Sequence, residues 1–179
     1  MVQIIDLGNK ALLEVLVFFA RSPTTKISYT DLRKKTKVAK ATLTKHLNFL
    51  LKEDFIRVEK IGLSKLYQLN KENCSVKQIK ILNNLLSLKG IKQLEKKYNI
   101  EIFLYGSAAR GEDTENSDID LLVIGKTRKE QIFPDINKIS KDVGREIKIV
   151  TFNPLEWSQL ARKDAPFYER VEKDKIRMC

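Results

Sequence analysis

The chain has 179 residues, of which 42% are hydrophobic, so it is long enough for one ordinary domain or two small ones with real cores. Its 34 Lys and Arg residues exceed its 23 Asp and Glu residues and give a formal net charge of +11. Cys74 and Cys179 are far apart, which excludes a disulfide framework and a CxxC metal site and favours a reducing, cytoplasmic setting. The apolar run Ala11 to Ala20 is interrupted by Glu14 and is too short to span a bilayer, so it predicts a core helix.

The positive charge is concentrated in the first part of the chain. Residues 1–74 carry 14 Lys and Arg against 7 Asp and Glu, whereas the remaining 105 residues carry 20 against 16. Nearly all of the excess lies between Lys26 and Lys65. A lysine excess identifies no partner by itself, but a local excess favours an anionic partner for this segment.

Three helices and a hairpin are predicted within the first seventy residues. The helical spacing of apolar residues predicts a first helix that ends near the Ser22-Pro23 pair. Ser28 has the sequence context of a capping box that opens a short second helix. Leucines over residues 43–51 predict a third helix, and residues 55–69 alternate as two strands joined by a turn at Gly62.

This outline, together with the stretch ATLTKHLNFLLKEDFIRV, resembles winged-helix transcription regulators such as the ArsR and MarR groups. The resemblance implies a winged helix-turn-helix whose third helix enters the major groove of DNA while the hairpin contacts the backbone. A structural or dimerising winged helix, with its lysines as a solvated face, is the alternative, because this fold also serves protein contacts. Carried over by position, the DNA-facing residues are Lys40, Thr42, Thr44, Lys45 and Asn48 on the helix and Lys60, Ser64 and Lys65 on the wing.

The only histidine, His46, falls on the predicted third helix. No second histidine or cysteine lies near it in sequence, and the resemblance places a histidine beside the packed leucines. We therefore expect a helix-packing role rather than catalysis or metal binding.

A polar break at residues 70–75 is followed by an amphipathic helix over Val76 to Gly90. The apolar stripe of this helix predicts either intramolecular core or the seam of a homodimer. The chain is thus divided into a winged helix at residues 1–73, a linker helix at 74–90 and a second domain at 91–179. The stripe consists of Ile79, Leu82, Leu85, Leu86 and Leu88.

The stretch GSAARGEDTENSDIDLLV, residues 106–123, places two carboxylates one residue apart at the start of a predicted strand. Because side chains alternate across a strand, Asp118 and Asp120 are expected on one face. Two carboxylates forced together repel each other unless a cation lies between them. Magnesium, or manganese in its place, is the expected ion because it prefers oxygen ligands and leaves positions for phosphate oxygens.

The loop before these carboxylates is suited to phosphate. Gly106 allows the backbone to approach a phosphate chain closely, and Ser107 offers a hydroxyl and an amide. Arg110 offers a delocalised positive charge to the same oxygens. A ligand that carries a chain of phosphate groups is therefore expected.

The pattern Gly-Ser, ten residues, then Asp-hydrophobic-Asp resembles the signature of the nucleotidyltransferase superfamily with a DNA polymerase beta-like palm. The closest likeness is to the minimal nucleotidyltransferases, in which GSxARG precedes SDxDL. The resemblance covers most of residues 91–152 and implies an α+β palm with a mixed sheet. An acidic hairpin or a fortuitous calcium loop is the alternative, but neither has a reason to combine these motifs. The resemblance assigns metal binding to Asp118 and Asp120 and nucleotide binding to Gly106, Ser107, Arg110 and Ser117.

The family normally carries a third catalytic carboxylate on a later strand, which is predicted here over Arg145 to Phe152. The position that aligns with it is Lys148. Glu146, two residues earlier on the same face, is the candidate that replaces it. A helix over residues 127–143, containing Pro134 at its start or at a kink, is expected to cover one face of the sheet, and residues 153–163 predict a final short helix.

Two functions remain open from the sequence. The first is a magnesium-dependent nucleotidyltransferase that moves a nucleoside monophosphate from a triphosphate to a hydroxyl of a partner macromolecule. Minimal nucleotidyltransferases of this type are often antitoxins that modify a HEPN-type toxin, so the resemblance implies such a partner. The second is a DNA-binding transcription regulator whose nucleotidyltransferase domain is an impaired nucleotide sensor or scaffold, with Lys148 as a point charge on the triphosphate. An antitoxin that represses its own operon combines both.

Overall fold

The computed structural model describes residues 8–178. The chain forms two compact units, Met1–Lys80 and Ile81–Cys179, and the division falls inside the fourth helix. Within the described range, no helix is both long enough and apolar enough to cross a membrane.

Unit 1 is an α/β unit with a three-stranded antiparallel sheet in the order β1-β3-β2. Its core is formed by apolar side chains from all three helices and from β3. The first helix ends as predicted, because the residue after it caps it just before Pro23. The elements are α1 (Lys10–Arg21), β1 (Ile27–Ser28), α2 (Tyr29–Thr36), α3 (Lys40–Lys52), β2 (Ile56–Ile61), β3 (Ser64–Leu69) and the start of α4 (Cys74–Ser87).

The start of α2 confirms Ser28 as its N-cap but changes the expected capping box. The Asp31 amide donates to the Ser28 hydroxyl oxygen at 3.1 Å, as an N-cap requires. In the reciprocal contact, the Ser28 hydroxyl donates to the Asp31 carboxylate at 2.7 Å. Asp is one methylene shorter than the Glu of a full capping box, so its carboxylate meets the hydroxyl instead of the Ser28 backbone.

The hairpin has the predicted position, and its first strand is almost entirely exposed. β2 and β3 pair from Ile56–Leu69 to Ile61–Ser64, and Gly62 makes the turn with φ +59°. Only Ile56 of β2 is buried, and the other five residues of this strand are exposed. At the tip, the side chain of Leu63 is fully exposed. The alternating pattern therefore does not mark a half-buried strand here, because β2 leaves the core after its first residue.

Unit 2 is built on a mixed four-stranded sheet in the order β6-β5-β4-β7. β5 and β6 are parallel, whereas β4 is antiparallel to both β5 and β7. The mixed sheet of an α+β fold, expected from the sequence, is thereby confirmed. The elements are the end of α4, α5 (Ile91–Tyr98), β4 (Glu101–Tyr105), α6 (Gly106–Arg110), β5 (Ile119–Ile124), α7 (Lys129–Val143), β6 (Ile147–Phe152), α8 (Pro154–Lys163), α9 (Ala165–Asp174) and β7 (Ile176–Arg177).

Helical side chains pack on both faces of this sheet, whereas the sequence predicted helices on one face only. One core joins strand residues such as Leu104 and Leu121 to Ile132 and Ile136 of α7. A second cluster joins Phe103 and Leu122, which alternate to the other face, to the helical residues Trp157 and Val171. The sequence predicted α8 but not α9 or β7, because residues 165–177 are short of apolar side chains at helical spacing.

Two further predictions differ from the structure in detail. Pro134 lies inside α7, five residues after its first residue, so it does not start the helix. The predicted stripe of α4 is divided, because Leu88 is fully buried whereas Leu82 and Leu86 are 55% and 64% exposed. A homodimer seam on this stripe stays a prediction.

Candidate functional site

The segment that joins β4 to β5 begins with a glycine that lies against a carboxylate. Gly106 has φ +71°, in the left-handed region that residues with side chains rarely adopt. A Cβ built on Gly106 would lie 2.9 Å from Oδ2 of Asp120. The backbone conformation and the close approach to Asp120 therefore both require glycine. Ser107, the next residue, is half-buried, and its carbonyl accepts the Gly111 and Glu112 amides that close α6.

Asp120 lies beside one residue on each neighbouring strand. Its partner on antiparallel β4 is Tyr105, and its partner on parallel β6 is Lys148. Side chains at paired positions share a face, and alternation brings Asp118 to that face as well. Burial raises the pKa of Asp120, and the negative charge of Asp118 raises it further. The structure thus brings the two predicted aspartates together.

Lys148 extends into the same group of side chains. Its ammonium forms an ion pair with Oδ2 of Asp118. The hydrogen bond with Asp118, and then the charge of Asp118, raise the pKa of Lys148 above its ordinary value. A positive charge therefore lies where the resemblance predicted a third carboxylate.

The donor set fits the divalent ion that the sequence predicted between Asp118 and Asp120. Two carboxylates with water or phosphate oxygens suffice for a single Mg²⁺. Within residues 8–178, no group of three His, Cys, Asp or Glu side chains is placed to hold a metal ion. Glu146, the predicted third carboxylate, is exposed and does not complete such a group. The physical reason is that Lys148, two residues later on the same face of β6, already occupies the side of Asp118.

Arg110, which the resemblance assigns to nucleotide binding, is engaged by two carboxylates, and its contact with phosphate stays a prediction. Its Nε donates to Glu112 at 2.8 Å and its Nη1 donates to Asp174 at 2.7 Å. These two carboxylates neutralise the guanidinium, and the second bond ties the end of α6 to the end of α9. In this arrangement Arg110 stabilises the loop rather than presenting a free charge.

The loop from Gly111 to Asp118 is held by an arginine that the sequence analysis did not single out. Arg145 donates from Nε and Nη2 to the carbonyl of Ser117 at 3.0 and 2.7 Å, and from Nη1 to Asp113 at 2.8 Å. Asp113 is 4% exposed, so this is a buried ion pair. The amide of Asn84 also donates to Asp113 and to the carbonyl of Ala108. No motif flags these residues, because an arginine before a strand has no specific signature.

Ser117 closes the same loop with its side chain. Its hydroxyl oxygen accepts the Thr114 amide at 2.9 Å and lies 3.0 Å from the Thr114 hydroxyl. Its predicted contact with the nucleotide stays a prediction, and its observed contacts position Asp118, the next residue.

A second cation, Arg170 on α9, acts on Asp120 through its charge. The guanidinium of Arg170 lies 5.5 Å from the centre of the Phe167 ring, which in turn lies 6.3 Å from the Tyr105 ring. The positive charge of Arg170 opposes the upward pKa shifts of both Tyr105 and Asp120. Arg170 was not predicted as a site residue because α9, which carries it, was not predicted from the sequence.

The predicted DNA-facing residues of unit 1 lie mostly on exposed surface. On α3, one face buries His46 and three leucines, and the opposite face exposes Lys45 and Asn48. Thr44 is exposed but its hydroxyl is engaged with the Lys40 carbonyl at 3.0 Å. Thr42 is half-buried at the flank of the helix, so less of its surface is accessible to DNA. On the wing, Lys60, Ser64 and Lys65 are exposed. Lys60 lies directly opposite Lys65 in the register of β2 and β3.

His46 packs in the core, as predicted. It is 6% exposed, and its Nε2 is buried without a hydrogen-bond partner among residues 8–178. Burial lowers the pKa of His46, and the charge of Lys45 lowers it further. A buried neutral imidazole is consistent with packing rather than with metal binding or catalysis.

Comparison with known proteins identifies the family of unit 2. Residues 87–177 match the nucleotidyltransferase domain family, which is half of the chain, and the chain belongs to this family. The crystal structure of a protein from Sulfolobus solfataricus, provisionally described as a nucleotidyltransferase, is similar over 56% of this chain and 84% of that protein. Its sequence identity is 23% and its TM-score is 0.35. No curated protein sequence matches the chain.

Proposed function

We propose that the protein transfers a nucleoside monophosphate from a nucleoside triphosphate to a hydroxyl of a partner macromolecule. The observation that carries the proposal is the Asp118–Asp120 pair beside Gly106, in a chain of the nucleotidyltransferase family. The two carboxylates lie on one face of the sheet. Because Gly106 has no side chain, a ligand can approach the backbone next to them.

The roles of the residues follow from their positions. Asp118 and Asp120 would hold magnesium or manganese, which would polarise the phosphate oxygens and neutralise the charge of the leaving pyrophosphate. Gly106 and Ser107 would lie along the phosphate chain. Arg170, whose charge acts on Asp120, would supply a guanidinium for phosphate in place of the occupied Arg110.

The resemblance to minimal nucleotidyltransferases supports a narrower proposal for the acceptor. We propose that it is a partner protein of HEPN type in the cytoplasm, with this chain as its antitoxin. Tyrosine, serine and threonine hydroxyls are the protein groups that accept a nucleoside monophosphate in this chemistry.

The test is transfer of label from each alpha-labelled nucleoside triphosphate to components of a lysate of the host cell, with magnesium or manganese. We expect a labelled band with the wild-type chain and none with Asp118→Asn. The matched control is Asp142→Asn, which removes one exposed carboxylate from α7 and should leave the band unchanged. Undiminished labelling by Asp118→Asn contradicts the proposal.

A second candidate function is favoured by the Lys148–Asp118 ion pair. A lysine in place of a third carboxylate provides no base for an attacking hydroxyl, so unit 2 could bind nucleotide without transferring it. Unit 1 would then be a winged helix-turn-helix that binds DNA through α3 and the β2–β3 hairpin. Its order of helix, short strand, two helices and hairpin supports that fold, and the exposed Lys45, Lys60 and Lys65 support phosphate contacts.

This candidate is tested with a DNA fragment from upstream of the protein's own gene. We expect affinity to fall steeply with salt, and Lys45→Met to reduce the slope of log K against log salt by about one. Lys173→Met, an exposed lysine of α9 in unit 2, is the matched control for the lost charge. Addition of triphosphate and magnesium should change the DNA affinity if unit 2 is a sensor, and an unchanged affinity removes the sensor function.

A further inference from the structure

The register of β6 fixes the backbone position of Lys148 and the face of the sheet from which its side chain projects. β6 runs parallel to β5 with Ile119 beside Ile147, Asp120 beside Lys148 and Leu121 beside Ile149. Ile147 and Ile149 are buried in the main core of unit 2. Alternation therefore requires Lys148 to project from the face that carries Asp120. A change of rotamer moves the ammonium but leaves its attachment beside the carboxylates.

The charge at this site limits how many divalent ions it can hold. Asp118 and Asp120 carry two negative charges and Lys148 carries one positive charge. One divalent ion leaves a net charge of one positive unit, which suits a bound polyphosphate. Two divalent ions would leave three positive units around two carboxylates, one of which is already paired with Lys148.

We propose that Lys148 is a resident cation that takes the place of a second metal ion, so that the site binds nucleoside triphosphate with one divalent ion and the Lys148 ammonium. This inference rests on the proposed nucleotide site and specifies its ligands. In the absence of triphosphate the ammonium is paired with Asp118, and on binding it contacts phosphate oxygens as a compact point charge. The triphosphate is thereby bound in part without metal.

The geometry also explains why the carboxylate of Glu146 does not join Asp118 and Asp120 as a third metal ligand. Glu146 is exposed at the edge where its own carbonyl accepts the Ile119 amide at 2.9 Å. Its charge acts on Lys148 rather than joining the two aspartates in a three-ligand group. Lys148 lies between Glu146 and Val150 along the same face of β6, directly beside Asp120. A carboxylate at position 148 would therefore reach the aspartates, whereas the one at 146 does not.

The first test counts bound Mn²⁺ by electron paramagnetic resonance of the free ion, with a saturating, non-hydrolysable nucleoside triphosphate. We expect one Mn²⁺ per chain for the wild type and for Lys148→Arg, which keeps the charge. Lys148→Asp should bind two. Lys129→Asp is the matched control, because Lys129 is an exposed lysine at the opposite end of the β5–β6 pair, and it should bind one.

The second test measures affinity for the same triphosphate analogue in EDTA. The wild type should retain measurable binding. Lys148→Met should bind the analogue at least about tenfold more weakly, because it loses a charge-assisted contact. Lys129→Met should match the wild type. A structural role for Lys148 would lower thermal stability without changing the Mn²⁺ count.

The outcomes separate this inference from the proposed function. Two Mn²⁺ ions per wild-type chain, or one for Lys148→Asp, overturn the role of Lys148 while leaving a nucleotide site. Failure of the wild type to bind the analogue with Mn²⁺ overturns both. One Mn²⁺ for the wild type and two for Lys148→Asp support the inference.

Discussion

The two units differ in whether the charged side chains of their candidate binding surfaces form ion pairs. On the α3 face and hairpin of unit 1, Lys45, Lys60 and Lys65 are exposed, and none of them takes part in an ion pair among the described residues. At the candidate site of unit 2, Arg110 and Lys148 are each paired with carboxylates. The buried Arg145–Asp113 pair holds the loop behind them.

The difference indicates what each surface can recognise. Long, unpaired lysines adapt to a repeated phosphate backbone and contribute affinity that falls with salt. Paired charges on short loops and strands are held in place before a ligand arrives, which suits a small ligand such as a triphosphate. Substitutions that break the ion pairs of unit 2 should therefore lower stability or ligand affinity more than substitutions of the exposed lysines on α3 and the hairpin of unit 1.

The largest effect is expected from Arg145→Gln. It leaves the buried carboxylate of Asp113 without its guanidinium and should lower the free energy of unfolding of unit 2 by about 3 kcal/mol. The chain's single tryptophan, Trp157, lies in unit 2 and reports this transition by fluorescence in a denaturant titration.

The control for Arg145→Gln is Arg177→Gln, which removes an arginine from a solvent-exposed pair with Glu101. We expect a cost below about 1 kcal/mol for this exposed pair. Equal costs for the two variants would show that the Arg145 pair does not hold the loop.

Gly106→Ala should have the next largest effect. The left-handed backbone costs an alanine about 1–2 kcal/mol, and the new methyl group meets Oδ2 of Asp120 at 2.9 Å. We therefore expect triphosphate affinity to fall about tenfold or more, measured by calorimetric titration.

Gly144→Ala is the matched control for Gly106→Ala. Its φ is +73°, but a Cβ there meets no atom of the described part of the chain within 4 Å. It should carry the same backbone cost and keep its triphosphate affinity. A parallel loss of affinity in both variants would assign the effect to strain rather than to the approach to Asp120.

A smaller effect of opposite sign is expected from Asp120→Asn. Burial and Asp118 raise the pKa of Asp120, so its ionised form destabilises the folded state and this cost grows as the pH rises through that pKa. The variant should melt a few degrees above the wild type at neutral pH, by Trp157 fluorescence. The gap should close in acid, where Asp120 is protonated, and a gap that persists there contradicts the electrostatic cause.

The smallest effect concerns His46 in unit 1. Because burial lowers its pKa, unit 1 should lose stability as the pH falls below the ordinary histidine value near 6.5. The protection factors of α3 amides, which are corrected for the intrinsic exchange rate, should fall over that range. His46→Leu should remove this fall, and protection factors that still fall in the variant would assign the pH dependence to another group.

Much of the fold followed from local patterns. Helices α1 and α3, the β2–β3 hairpin and the strands β4, β5 and β6 were predicted because apolar periodicity and turn residues act over short distances. The pattern did not predict α9, whose apolar residues lie mainly at one end. It also could not show that β2 is exposed, because alternation reports where a side chain points but not whether a core lies beneath it.

The site was predicted only in part for a similar reason. Asp118, Asp120 and Gly106 are close in sequence, and a motif fixes their relation. Arg145 and Arg170 reach the site from distant elements, so no spacing could reveal them. The pairing of Arg110 with Asp174 is likewise set by the packing of α6 against α9 and is invisible in the motif that contains Arg110.

The most direct test of the central claim is calorimetric titration of nucleoside triphosphate with magnesium into the wild type, Asp118→Asn and Asp142→Asn. The account predicts one triphosphate per chain for the wild type and for the exposed control, and a loss of about a hundredfold or more for Asp118→Asn because the divalent ion loses a charged ligand. Equal affinities for all three proteins would contradict a nucleotide site built on the paired aspartates.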